Sequence, residues 1–311
     1  MRSAHALLVA ALAASVHGHG LIVSIQGANG VTMPGLTVAD GTPRDCSSNS
    51  CGSQADTAII RDGDISSGRT GPLGRTQGNG PVSAETMIRN FMGSGTAPTN
   101  NGPSDSVGVE DDISIGSNNR NNRRQFLGGL FGGGSSNSGG DSNRGGSRLG
   151  GLFGGGASGT SADGPPESRV AASAGQGAAR GLPTASDSGL VTMTFRQINQ
   201  DGAGPLTADI DGTSGGTEEA AFQRAEVVTD VPGFFGGLSL ATKTEFPLEV
   251  QMPPGMTCDA SVGGADNVCI VRVRNSAIAG PFGGSAAFTQ SPEARKRALA
   301  FRLKKRMEIR A

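Results

Sequence analysis

The chain has 311 residues with 52 Gly, 12 Phe and neither Trp nor Tyr, and its formal net charge is −1 at pH 7. This length allows one or two domains. Without Trp and Tyr the chain lacks the amphipathic aromatic rings that commonly stack on sugars, and the same deficit argues against a nucleic-acid partner bound by base stacking.

The N-terminal residues have the pattern of a secretory signal peptide. Arg2 supplies a positive charge, Ala6–Ala14 is an apolar run too short to span a bilayer, and small residues follow. We therefore assign residues 1–18 as a signal peptide and expect a secreted, extracellular product with no transmembrane segment. The small residues allow cleavage after residue 15, 16 or 18.

Two of the three histidines, His17 and His19, lie where the leader ends. If cleavage exposes His17, the free amine, two amide nitrogens and the third-position imidazole can surround Cu(II) in a square plane. The mature chain has no histidine beyond His19, so the standard two-histidine brace of lytic polysaccharide monooxygenases cannot form. His17 and His19 are the candidate copper ligands; the alternative is that they only flank the cleavage site and that the protein has no cofactor.

Four cysteines fit an oxidising compartment. Cys46 and Cys51 enclose four residues, and Cys258 and Cys269 enclose ten. Four cysteines allow three pairings, of which we predict the two local ones, Cys46–Cys51 and Cys258–Cys269. Metal binding by these cysteines is the weaker alternative, because the spacings differ from the C-x₂-C of zinc sites.

The first part of the chain changes character near residue 116. Residues 19–115 are predicted to begin the folded domain, with a strand at Leu21–Gln26 and a short Ser-capped helix at Ser83–Gly93. Residues 116–186 are rich in Gly, Ser and Asn and contain "LGGLFGGG" twice. Such a composition buries too little apolar surface to offset ordering entropy, so we predict a disordered insert. Its Leu-Phe pairs are either incidental or sites of self-association or wall adhesion.

Residues 187–290 are predicted to complete the folded domain with short strands. Apolar and polar residues alternate in several segments that Gly and Pro clusters separate, which is typical of a sandwich. One short helix is predicted at Thr217–Ala225. The predicted fold class is mainly β: a single β-sandwich (immunoglobulin-like) domain, interrupted by the insert. The predicted strands are Leu190–Ile198, Leu206–Asp211, Ala225–Val231, Phe246–Met252 and Val268–Asn275.

Residues 291–311 are predicted to form a basic helix. Ser291 is a suitable N-cap, and Leu299, Leu303 and Met307 recur at i, i+4 and i+8. Eight Lys/Arg and two Glu give this tail a charge of +6, which leaves −8 for the rest of the chain once Arg2 is set aside.

Three interpretations of the basic helix stay open. Its charge suits an anionic surface or membrane, or the helix packs against the acidic body. The dibasic pairs Lys296–Arg297 and Lys305–Arg306 are also candidate processing sites for a secretory endoprotease.

Four stretches of the sequence together have a familiar pattern: "HGHGLIVSIQGANG", "FRQINQDGAGPLTADIDGTSGGT", "FPLEVQMPPGMTC" and "NVCIVRVRN…AGPFGGSAAFTQ". They resemble the fungal Egh-like, or MAS-type, appressorial virulence-factor family, and "INQDGAGP" and "AGPFGG" are the most specific parts. The resemblance implies secretion and a role in penetrating the host or its cuticle. It implies no settled reaction, so it assigns no catalytic residue.

The residues themselves offer little for catalysis. No paired catalytic carboxylates, nucleophile elbow or Cys/His dyad stands out, and a Ser-His triad is disfavoured because the candidate histidines lie at the chain's start. Asp209-x-Asp211-Gly212 faintly resembles a calcium loop but lacks the closing Glu. An Asp beside Gly is above all typical of a turn.

The sequence therefore predicts a secreted protein of fungal infection structures, virulence-associated and non-catalytic rather than an enzyme. Cell-wall polysaccharide or a host surface is the expected partner. The alternative is a copper-dependent, polysaccharide-active protein, similar to a lytic monooxygenase, with an incomplete histidine brace.

Overall fold

Antiparallel β-strands make up most of the regular structure. A computed structural model of the chain describes residues 19–47, 54–99, 158–234 and 236–310, which belong to one folded unit. The mainly-β prediction is confirmed. The strands within these ranges are β1 (Gly20–Gln26), β2 (Thr32–Pro34), β3 (Ala58–Ile59), β4 (Arg75–Thr76), β5 (Gly80–Pro81), β6 (Thr160–Ser161), β7 (Leu190–Gln197), β8 (Thr207–Asp211), β9 (Phe222–Thr229), β10 (Thr244–Gln251), β11 (Ala260–Val262), β12 (Ala265–Arg274) and β13 (Phe282–Thr289).

Eleven of these strands follow one hydrogen-bonded order, β2-β1-β7-β10-β9-β8-β12-β13-β3-β4-β5, while β6 pairs with β10 and β11 with β12 outside it. Strands β1 and β13 are distant in this order and yet pack against each other. A Cβ atom added to Gly284 of β13 would lie 2.8 Å from the Ile22 nitrogen of β1, and Leu36 donates its N–H to the Ser285 carbonyl at 2.8 Å. The sheet thus folds over on itself, and the apolar core lies between its two layers.

The burial of each strand follows its place in the sheet. In β7, buried and partly buried residues alternate over its first half, as the sequence pattern predicts. In β13, every residue except the last is buried, and most are Gly, Ala or Ser. A Cβ atom on Gly283 would lie 2.0 Å from the Val273 carbonyl oxygen. Because β13 is covered on both faces, it has no alternating pattern and is absent from the predicted strands.

Two of the helices match sequence predictions. Helix α2 (Ala84–Phe91) begins after Ser83, whose hydroxyl accepts the Thr86 N–H at 3.4 Å, and it buries Met87, Ile88 and Phe91. The basic tail forms helix α5 (Pro292–Arg310), as predicted. None of the helices in the described ranges has both the length and the apolar character needed to cross a membrane. The helices are α1 (Asp62–Ser66), α2 (Ala84–Phe91), α3 (Arg169–Ser173), α4 (Gln176–Arg180) and α5 (Pro292–Arg310).

The prediction of a helix at Thr217–Ala225 is wrong. Only Glu219–Ala221 is helical, as a single 3₁₀ turn, and the chain then enters β9. This strand pairs with β8 and with β10. Pairing on both sides outweighs the local helix preference of this Glu- and Ala-rich segment.

The extent of the predicted insert is also corrected. Of residues 116–186, those from 158 onward belong to the folded unit, whereas 116–157 lie outside the described residues. Strand β6 pairs with β10, and Val170 of α3 is fully buried. The backbone N–H groups of Val170 and Ala171 donate to the Asp40 carboxylate at 3.1 and 2.8 Å. Long-range contacts therefore order a segment whose composition alone predicts disorder.

A buried ion cluster fixes this segment to the body. Arg44 contacts Asp56 at 2.6 Å and Glu167 at 3.1 Å, and all three side chains are buried. Burial alone would raise the pKa of Glu167, but Arg44 and hydrogen bonding to the Arg169 backbone outweigh it and lower the pKa. Glu167 is therefore held as a carboxylate between two parts of the chain.

One predicted disulfide is confirmed. Cys258 and Cys269 are bonded, with their Cα atoms 4.8 Å apart, so the bridge ties the segment before β11 to β12. Cys46 is disulfide-bonded, but Cys51 lies outside the described residues, so the pairing Cys46–Cys51 stays a prediction.

Candidate functional site

His19 is a buried residue immediately before β1. Its side chain is 1% exposed, and its ring stacks on Phe282 with centroids 4.9 Å apart. The backbone nitrogen of His19 donates to Asn199 Oδ1 at 2.7 Å, and Asn199 Nδ2 lies 3.2 Å from His19 Nδ1. Because an amide nitrogen only donates, His19 Nδ1 accepts in this contact.

The loop between β7 and β8 closes over this histidine. Ile198 donates its N–H to the His19 carbonyl oxygen at 2.9 Å. A Cβ atom on Gly202 would lie 1.8 Å from that same oxygen, and one on Gly20 would lie 2.7 Å from the Gly202 oxygen. Only glycine allows this approach of the two backbones.

Asn275 joins the β7–β8 loop to the start of β13. Its Nδ2 donates to the carbonyl oxygens of Asp201 and Ala203, at 3.1 and 3.3 Å. Its Oδ1 accepts the N–H groups of Ala277 and Phe282, at 3.2 and 3.0 Å. The stretches "INQDGAGP" and "AGPFGG" therefore meet at His19. We call this buried arrangement the His19 junction; it consists of His19, Asn199, Gly202, Asn275 and Phe282.

The His19 junction does not assemble a histidine brace from the described residues. The backbone nitrogen and Nδ1 of His19 are the two atoms that an N-terminal histidine offers to copper, and both face the Asn199 carboxamide. Across the described ranges, no group of three His, Cys, Asp or Glu side chains is arranged to hold a metal ion. His17 lies outside those ranges, so copper binding at His17 and His19 stays a prediction.

Asp211, in the stretch that faintly resembles a calcium loop, organises a turn. Its carboxylate accepts the backbone N–H groups of Thr213, Ser214 and Gly216 at 2.7 to 2.9 Å, and the Ser214 hydroxyl at 2.5 Å. Burial alone would raise the pKa of Asp211, but the hydrogen bonds from Ser214, Thr213 and Gly216 outweigh it and lower the pKa. The carboxylate oxygens thus bind the protein's own turn.

Asp209 faces a different cluster on the sheet. Arg272, 2% exposed, contacts Asp209 at 3.2 Å and Glu219 at 2.6 Å. The Arg272 guanidinium also lies 4.3 Å from the centre of the Phe222 ring. These contacts link β8, β9 and β12, so this cluster stabilises the sheet and presents no reactive group.

Two adjoining loops next to the His19 junction expose large apolar side chains. The loop between β9 and β10 contacts the β7–β8 loop, where Ala203 donates its N–H to the Gly237 oxygen at 2.8 Å. It meets the β12–β13 loop where Gly236 donates its N–H to the Ser276 hydroxyl at 3.3 Å. The exposed large apolar side chains of these two loops are Phe234, Leu238, Leu240 and Ile278, and we call them the apolar rim. Their exposed fractions lie between 41% and 102%.

An open groove of about 660 Å³ is a separate feature. It lies between α5 and the sheet, where Met252 and Met256 face Ala298 and Phe301. No residue of the His19 junction or of the apolar rim lines it. The groove and the rim are thus two different surfaces.

Sequence reasoning identified His19 but not its partners. Asn199 lies 180 residues away in the chain, and no short-range pattern connects the two. The quoted stretches "INQDGAGP" and "AGPFGG" contain Asn199, Gly202 and Phe282, so the family resemblance was the signal that pointed to them. Leu240 and Ile278 of the rim carry no signal in the sequence, because an isolated apolar residue in a loop is common.

Comparisons with known proteins match most of the sequence. The sequence model of a family described as Egh16-like virulence factor matches residues 17–283. The appressoria-specific virulence factor GAS2 of Pyricularia oryzae is 48% identical over 310 residues, which cover 98% of this chain and 95% of that protein. GAS1 of the same fungus is 40% identical over 128 residues, 40% of this chain and 50% of that protein. No solved structure matches the chain.

Proposed function

The chain belongs to the Egh16-like virulence factor family, and from this premise we propose that it is a secreted fungal virulence protein that acts at the cell wall or host surface by binding rather than by catalysis. Its relatives GAS1 and GAS2 bear the name of appressoria-specific virulence factors, which supports the role in virulence. The leader pattern of residues 1–18 and the disulfide Cys258–Cys269 support secretion.

The observation that carries the binding role is the apolar rim beside the His19 junction. The polar side chains of the junction are buried, so no substrate reaches them without the loops opening. Leu240 and Ile278, in contrast, are 85% and 102% exposed. Several exposed large apolar side chains on neighbouring loops are typical of a contact surface.

The rim is also held in place. Phe234 and Leu238 pair across a tight turn, with the Phe234 N–H donating to the Leu238 oxygen at 2.7 Å. Ser239 donates its N–H to the Gln200 oxygen at 2.5 Å. A contact surface whose backbone is already fixed loses little conformational entropy on binding, which suits attachment to a solid wall or host surface.

Sedimentation with insoluble fungal wall and host wall fractions tests the binding role. The double variant Leu240→Ser, Ile278→Ser should lower the bound fraction roughly tenfold, since two large apolar contacts are lost. Val228→Ser is the matched control, because Val228 is 55% exposed on β9 and lies outside the rim. Equal binding of both variants, or release of soluble sugar products by the wild type, would contradict the proposal.

Secretion and virulence need their own measurements. The native fungus should release the protein into the medium with its N-terminus at residue 16, 17 or 19, as determined by N-terminal sequencing. A strain that carries only the rim double variant should infect its host less than a strain with Val228→Ser. Retention of the full chain inside the cell would contradict secretion. It would not affect the result of the wall-binding test.

The rival function is a copper-dependent, polysaccharide-active protein, and it depends on the N-terminus. A copper ion that bound the backbone nitrogen and Nδ1 of His19 would have to displace the Asn199 carboxamide. We therefore expect weak copper binding and no oxidative cleavage of cellulose or chitin. A stoichiometric site of nanomolar affinity that is lost in His19→Ala, measured by titration of the secreted protein, would show instead that the start of the mature chain is a metal centre.

A further inference from the structure

Helix α5 has a short attachment to the body and a long exposed part. Ser291 accepts the Ala294 N–H at 3.1 Å, and Ala294 and Ala298 are buried. Arg295 donates to the Cys258 oxygen and to the Asp259 carboxylate, both at 2.8 Å. From Leu299 to Ile309, in contrast, every residue is exposed. The first two turns thus anchor the helix, Phe301 and Arg302 lie beside Gly255 of the body, and the helix then extends into solvent.

The exposed part combines apolar and basic side chains. Half of the large apolar side chains that are exposed in the described residues lie in this stretch of the helix. Leu299, Leu303 and Met307 are spaced by four residues, so they share one face. By helix geometry this face is turned away from Ala294 and Ala298, which contact the body. The exposed large apolar residues of the helix are Leu299, Phe301, Leu303, Met307 and Ile309.

Positive charge surrounds this apolar face. Arg302 and Arg306 lie at its edge, because each is three residues from Leu299 or Leu303. Within the helix, the one ion pair among the described side chains is Lys304–Glu308, with atoms 3.9 Å apart and both side chains well exposed. Such a pair neutralises little charge. The tail as a whole carries +6, while the remaining chain is acidic.

We propose that the exposed part of α5 docks on the surface of an anionic lipid bilayer. Lipid headgroups attract the cations, and the region just below them accepts Leu299, Leu303 and Met307 while Lys and Arg extend their charged ends to the interface. An anionic polysaccharide would use the cations alone and leave Leu299, Leu303 and Met307 in water. A bilayer is thus the partner whose chemistry matches both sets of side chains.

The placement of the charge supports docking by the helix rather than by the body. The acidic body is repelled by an anionic bilayer, but repulsion from body charges more than about 8 Å from the surface is largely screened at physiological salt. The cations of the exposed stretch of α5 lie at the surface itself and are attracted to it. This inference goes beyond the proposed function and does not rest on it.

Co-sedimentation of the purified chain with lipid vesicles tests the proposal. We expect binding to vesicles of phosphatidylcholine with phosphatidylserine and none to phosphatidylcholine alone, with a steep loss of binding as salt rises. The charge variant Lys304→Gln, Lys305→Gln, Arg306→Gln should weaken binding by at least about tenfold. The apolar variant Leu299→Ser, Leu303→Ser, Met307→Ser should do the same. All six side chains are exposed, so both variants keep the wild-type melting temperature.

A matched control removes the same charge from the body. Arg69, Arg89 and Arg224 are 54% to 70% exposed, and their change to Gln should leave vesicle binding within about twofold of wild type. The proposal is overturned if wild type does not bind the anionic vesicles. It is also overturned if the apolar variant binds as wild type and soluble polygalacturonate competes, which would identify a polyanion site. Tail-dependent dimerisation without vesicle binding would identify a second copy as the partner.

Discussion

At the scale of single residues, several buried polar side chains of this protein bind its own backbone. Asn199 binds the backbone nitrogen of His19, Asn275 binds four backbone groups, and Asp211 binds three N–H groups of one turn. A buried polar group costs free energy unless it is hydrogen-bonded. These residues therefore define loop conformations, and their loss should lower stability.

The Asn199 side chain gives the most direct test of the His19 junction. Asn199→Ala removes the acceptor of the buried His19 N–H and the donor to Nδ1. We expect the free energy of unfolding to fall by about 1–3 kcal/mol, measured by urea denaturation. Gln223→Ala, an exposed amide on β9, should change it by less than about 0.5 kcal/mol. Similar values for the two variants would mean that the junction is not stabilising.

The lowered pKa of Asp211 makes stability depend on pH in a defined direction. The ionised carboxylate favours the folded state above the unfolded pKa of about 3.9, and this contribution is lost as the pH falls through the lower pKa of the folded state. Asp211→Asn should be less stable than wild type at neutral pH and lose less stability on acidification. Glu226→Gln, an exposed control, should retain the wild-type pH profile in the same denaturation series.

At the scale of elements, local patterns predict those structures whose stabilising contacts are local. The Ser83 cap predicts α2, and the alternation in β7 reflects one face toward the core. Strand β13 was missed because its small residues are buried on both faces. The predicted end of the insert, at residue 186, lies too far along the chain. Glu167 is ordered by its contact with Arg44, which lies 123 residues earlier in the chain. The His19 junction is formed by the same kind of distant contact.

The Arg44–Glu167 contact should hold the segment before α3 in place. Glu167→Ala leaves Arg44 buried with Asp56 as its remaining carboxylate contact, so we expect a loss of about 3 kcal/mol in the free energy of unfolding. Glu85→Ala breaks an exposed pair with Arg89 and should cost no more than about 0.5 kcal/mol. Chemical denaturation compares the two, and equal losses would show that the buried cluster adds no stability.

At the scale of the whole molecule, two distant parts of the chain share one core. Strand β1, from the first part, pairs with β7 from the second, and β1 also packs against β13. The disulfide Cys258–Cys269 lies wholly in the second part and cannot link the two. Non-covalent contacts alone should therefore keep the parts together.

Limited trypsin digestion tests whether non-covalent contacts keep the two parts of the chain together. The composition of residues 116–157 predicts first cuts near Arg123 and Arg124. After such cuts, the two fragments should still elute together in gel filtration under native conditions, with or without reductant, and separate only in denaturant. Fragments that separate without denaturant, or an intact Arg123–Arg124 region after the body is degraded, would contradict this view of the chain.

The contact between His19 and Phe282 also has a consequence for synthesis. The apolar strand β1 leaves the ribosome early, but its partner β7 begins at Leu190 and the ring beneath His19 is residue 282. At about 5–20 residues per second, β1 waits on the order of 10 s or more before these residues emerge. During that interval β1 can pair with β2 along one edge, but the edge that later pairs with β7 is open to aggregation. Production of this protein should therefore depend on chaperones that cover its first strand until most of the chain has been made.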